Sequence, residues 1–142
     1  MERKIKITYG KIFVATLAAF IVSSIWYSIF GSLWLALRGI DTATATKSLP
    51  IWKIGAELGR SFILASVLAY FISVLDIKSW KNALKFCLIL WLGFPLILLS
   101  GSVMYENVHW GIAAIHAGDW LIKPLTMIII LSFKGIKREK KN

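Results

Sequence analysis

The chain has one cysteine, Cys87, so no internal disulfide can form, and its place inside an apolar run reads as a small buried hydrophobe rather than a reactive thiol. Histidine is nearly as scarce. His109 and His116 are the two present, with no cysteine near them, which argues against a zinc site. There is no Walker motif, dinucleotide fingerprint, HExxH helix or serine nucleophile elbow, and no polar segment long enough to house a separate catalytic domain. Nothing in the sequence calls for a metal or cofactor. Internal repeats and low-complexity segments are also missing, and only the tail at 137–142 reads as disordered. Charge of one sign is short too, with 7 acidic residues against 17 lysines and arginines.

What is present is apolar. The 142 residues are 58% hydrophobic and 17% charged, where soluble domains run near ~45–50% and ~25%. The formal net charge of +10 does not describe a nucleic-acid binder, which would carry a basic face on a soluble fold. Here the lysines and arginines gather in short segments beside long apolar runs, so nucleic acid is excluded as a partner and the bilayer takes its place.

Four such runs are expected to span the membrane, at about 12–37, 54–75, 83–104 and 112–133, followed by a basic tail at 134–142. Each approaches the ~20 residues that cross a hydrocarbon core of ~30 Å. Backbone in lipid must satisfy its own hydrogen bonds, so each run folds as a helix. The first is too long, and too rich in Trp26, Tyr27 and Trp34, for a signal-peptide core of ~7–15 residues, so a retained span is expected despite the small residues at Ala43-Thr44-Ala45. Short connections favour an antiparallel up-down bundle. The fold class is therefore all-α, a single four-transmembrane-helix membrane domain. Ser48 is expected to cap the second span with Pro50 inside its first turn, and Gly93 with Pro95 to kink the third.

Orientation follows from basic residues. The N-terminal segment, the second connection and the C-terminal tail hold twelve, against three (Arg38, Lys47 and Lys53) in the first connection and none in the third. Both ends are therefore expected in the cytoplasm, in a multi-pass protein of the cytoplasmic (inner) membrane. Trp34, Trp52, Trp80, Tyr105 and Trp110 fall where interfacial aromatics belong.

Ionisable groups inside a span cost ~2.5–3.5 kcal/mol each on insertion scales and need partners. The second span carries Glu57 and Arg60, and the fourth carries His116, Asp119 and Lys123. Within each group, offsets of three, four or seven share a helix face. Opposite chain directions bring Trp26, Tyr27 and Ser28 of the first span to the same level, so a polar pocket is expected in the outer leaflet, walled by the first, second and fourth spans. The plainer alternative is internal pairing, Glu57 with Arg60 and Asp119 with Lys123, with Arg60 able to snorkel outward. Gly55/Gly59, Ser24/Ser28 and Ala65/Ala69 repeat a small-xxx-small spacing that supports close helix contact, either inside the bundle or in a homodimer.

Ser23-Ser24-Ile25-Trp26-Tyr27-Ser28 with Phe30-Gly31 and Trp34, together with Ala114-Ile115-His116-Ala117-Gly118-Asp119-Trp120-Leu121, resembles the first-helix and last-helix patterns of a bacterial membrane-protein family catalogued as domain of unknown function number 1761. The resemblance covers the whole chain and implies a four-helix membrane protein without an assigned activity. It further implies that Trp26, Tyr27, His116, Asp119 and Trp120 form a characteristic site.

Three functions compete. The first is binding or transport of a small amphipathic or anionic ligand. Arg60 and Lys123 would meet its charge, Trp26, Tyr27 and Trp120 its apolar part, and His116 beside Asp119 would carry a proton. The second is an accessory or assembly protein without substrate. The third is a lipid-modifying enzyme using His116 or Glu57 as a base, ranked last because no nucleophile accompanies them.

Overall fold

A computed structural model of the chain describes residues 8–41, 43 and 50–132. Among them lie five helices and no strand: α1 (Tyr9–Leu37), α2 (Ile51–Val74), α3 (Trp80–Gly93), α4 (Pro95–Tyr105) and α5 (Trp110–Ser132). α3 and α4 are two halves of one span, so four helical stretches are long and apolar enough to cross a membrane. The protein is a multi-pass membrane protein built as a four-helix bundle.

The helix ends explain the boundaries. α1 stops at Gly39, whose φ of +68° suits glycine, and the N–H groups of Gly39 and Ile40 reach back to Ala36 and Leu35 at 3.0 Å each. α2 ends in the same way with Asp76 at φ 50°, and the following Ile77 tucks into the core. Ser79 caps α3 by accepting from the Asn82 N–H at 3.2 Å. Pro50 itself stands at the N-cap of α2 rather than within its first turn, its carbonyl accepting from Lys53 at 2.9 Å; Ser48 lies outside the described residues. The expected kink is present. Phe94 takes φ −121° and ψ −75°, because Pro95 has no N–H to continue the ladder. A further proline, Pro124, sits inside α5 and cannot supply the carbonyl of Trp120 with its helical donor.

α5 is the hub, packing against α1, α2, α3 and α4. The dry core occupies one end of the bundle, where Ala15, Ala19, Ala65, Ala69 and Ala83 let backbones approach around Ile72, Met127 and Leu131. Ala65/Ala69 thus serve packing within the bundle. Gly55/Gly59 do not, since an added Cβ at either would meet nothing within 4 Å. At the opposite end, which carries the first and third connections, polar side chains replace alanine and the helices enclose a cavity.

Candidate functional site

The cavity measures about 790 Å³ and lies between α1, α2 and α5. Its α1 wall follows Phe20, Ser24, Tyr27, Gly31 and Trp34, steps of four and three residues that keep one helix face inward. α2 presents Lys53, Glu57 and Arg60 at the same spacing, and α5 closes the site with His116, Asp119 and Trp120.

α1 is fixed to α5 by four polar contacts. Ser23 Oγ donates to Asp119 Oδ1. Trp26 Nε1 donates to the Ile115 carbonyl at 3.0 Å. Tyr27 Oη and His116 Nδ1 lie 2.7 Å apart, and Trp34 Nε1 reaches His116 Nε2 at 3.4 Å. These partners run in opposite chain directions, so the two helices are antiparallel. An indole nitrogen can only donate. His116 Nε2 is therefore the acceptor in that contact, which leaves Nδ1 as the ring nitrogen able to donate to Tyr27 Oη. Gly118 makes room for this arrangement, because a Cβ there would overlap the six-membered ring of Trp26.

α2 is tied to α5 by charge. Lys123 Nζ pairs with Glu57 Oε1, while Arg60 Nη1 pairs with Glu57 Oε2 at 3.1 Å. The Glu57 carboxylate thus serves two cations. Lys123 is 6% exposed, whereas the Arg60 side chain is 66% exposed and lines the cavity. The expected Glu57–Arg60 pair forms. The expected Asp119–Lys123 pair does not, because each finds its partner on another helix, where the contact ties two spans together instead of decorating one.

Of the eight residues singled out in the sequence, Tyr27, Glu57, Arg60, His116, Asp119 and Trp120 line the cavity. Trp26 stands behind the wall, its ring centroid 4.4 Å from that of Phe30 at a tilt of 44°, and lodged over Gly118. Lys123 is buried below Glu57. His116 is bonded to Tyr27 and Trp34, while Asp119, three residues along the same face of α5, takes its hydrogen bond from Ser23. Ser23, Trp34 and Lys53 escaped notice as site residues. Trp34 reads as an interfacial aromatic but turns inward to His116, unlike Trp52, Trp80, Tyr105 and Trp110, which are exposed. The heptad-like stripe along α1 was the signal that would have found it. Among the described residues, no three His, Cys, Asp or Glu side chains gather closely enough to hold a metal ion.

The residues that build this site lie within the part of the chain, residues 11–132, that matches the family described as Protein of unknown function (DUF1761). The chain belongs to the DUF1761 family. No curated protein and no solved structure matches it. In this DUF1761 protein the first-helix and last-helix segments quoted above face one another. Ser23, Trp26 and Tyr27 of one contact Asp119, Ile115 and His116 of the other. Trp91 Nε1 adds a bond from α3 to the Ala117 carbonyl at 2.9 Å, so the α5 segment is held from both sides.

Proposed function

We propose that this protein binds, and as a transporter passes on, a small amphipathic anion in the cavity between α1, α2 and α5, with the cavity in the outer leaflet of the cytoplasmic membrane and both chain ends inside. The observation that carries the reading is the division of labour among the charges. The Glu57 carboxylate is shared by Lys123 and Arg60, and Asp119 Oδ1 accepts from Ser23, while Lys53, Arg60, Tyr27, Trp34 and Trp120 bring cationic and aromatic groups to the lining. Such a lining suits an anionic group attached to an apolar body. The twelve-to-three distribution of basic residues supports the orientation.

A second reading, an accessory or assembly protein without substrate, draws support from the same interhelical ties, which pair buried Lys123 with Glu57 and give buried Asp119 a hydroxyl donor with no ligand at all. Purified protein in nanodiscs, titrated with hexanoate and followed by tryptophan fluorescence, separates the two. Hexanoate is expected to bind, hexyltrimethylammonium to give no comparable response, and Arg60→Gln to weaken hexanoate on the order of tenfold, the worth of one charged hydrogen bond. Absence of binding, or equal response to anion and cation, favours the accessory role.

A further inference from the structure

A second cavity of about 440 Å³ lies between α2, the kinked third span and α5, and no charged side chain lines it. It follows α2 from Leu64 to Phe71, ~10 Å at 1.5 Å per residue. Phe94 and Pro95, the residues of the kink, form part of its wall. Trp120 lines this groove and the polar cavity alike. The two spaces therefore adjoin at one indole, with the exposed cations Lys53 and Arg60 on one side of it and an apolar trough within the membrane on the other.

We propose that the ligand is a single-chain anionic lipid, its headgroup held at Lys53 and Arg60 and its acyl chain laid past Trp120 into the groove between α2 and the third span. The inference rests on the anion-binding reading above and names the apolar part of that ligand. Bulk lipid would wet any apolar groove at this depth. The cationic cavity on the other side of Trp120 is what selects an occupant carrying a negative head. One trough of this size takes one chain, which sets a fatty acid or similar single-chain acid apart from a two-chain phospholipid.

The test uses full-length protein in zwitterionic phosphatidylcholine nanodiscs with a long-chain fatty acid bearing a mid-chain diazirine, and the matching fatty alcohol as control, at a pH that keeps the acid ionised. Adducts are mapped by mass spectrometry. The acid is expected to label the groove near Trp91 and Leu98 on the order of tenfold above the alcohol, and Arg60→Gln to erase that preference. Val67→Trp and Leu98→Trp alter side chains that are 45% and 71% exposed, so the fold survives. Each is expected to remove groove adducts while hexanoate still binds. Hexanoate binding with acid adducts confined to the polar cavity overturns the inference and leaves the anion site standing. Equal labelling of the groove by acid and alcohol also overturns it, marking the groove as bulk-lipid surface. If hexanoate fails to bind as well, the anion site falls with it.

Discussion

Gly118→Ala puts the α1–α5 contact under the most direct strain. The added Cβ would stand 2.7 Å from Trp26 Cη2 and 3.2 Å from Cε2, and closer still to Cζ2. The indole cannot swing aside freely, because its N–H is held by the Ile115 carbonyl at 3.0 Å and Phe30 lies against it with ring centroids 4.4 Å apart. Overpacking of a filled site costs about 1–3 kcal/mol, and losing the indole hydrogen bond adds about 1 kcal/mol. The better helix propensity of alanine returns up to about 1 kcal/mol. The net expectation is a loss of about 2 kcal/mol, roughly a 30-fold fall in the folded-to-unfolded ratio. Titration of purified protein with SDS in mixed micelles, read by circular dichroism, measures this. Gly101→Ala is the control, since a Cβ there meets nothing within 4 Å, and it should leave stability unchanged or raise it by up to about 1 kcal/mol through the same propensity gain. Trp26→Leu in the Gly118→Ala background should recover part of the loss, a coupling of about 1 kcal/mol or more between the two positions. Equal stability of the two glycine variants, or strict additivity with Trp26→Leu, would refute the reasoning.

The charge tie between α2 and α5 predicts an asymmetry. Glu57→Gln leaves buried Lys123 without a counter-charge and should cost about 3 kcal/mol, whereas Lys123→Met leaves Glu57 with Arg60 and should cost under about 1 kcal/mol. The same titration checks both, and a larger loss from Lys123→Met would contradict the assignment. Orientation is tested by cysteine labelling in intact cells. Ala43→Cys should react with a membrane-impermeant maleimide and Lys78→Cys only after permeabilisation, with Cys87, 1% exposed, giving no background. The reverse pattern would move the cavity to the inner leaflet.

Exchanging Asp119 and Lys123 cannot discriminate between a ligand site and structural pairing, although their i,i+4 spacing invites it. The swap would set a carboxylate against Glu57 and a lysine against Ser23, so either kind of protein would suffer.

The four spans, the kink at Gly93–Pro95 and the level at which the ionisable groups meet were legible in the sequence. Each is governed by a one-dimensional rule: apolar length against bilayer thickness, a missing proline N–H, and residue offset along antiparallel helices. Which carboxylate served which cation was not legible, because Asp119 and Lys123 are equally good neighbours along α5, and only the packing of α1 and α2 offered Ser23 and Glu57 instead. The same holds for Trp34, whose position in sequence fits an interfacial anchor while the rotation of α1 aims it at His116. Gly118 reads in sequence as one small residue among many, and becomes a requirement once Trp26 lies on it. Sequence alone determined that four helices are long and apolar enough to cross a membrane and which ionisable side chains share a level along them, since both depend on distance along a helix axis. The rotation of each helix about that axis decided who touches whom, and rotation is set by side-chain fit between helices far apart in the chain.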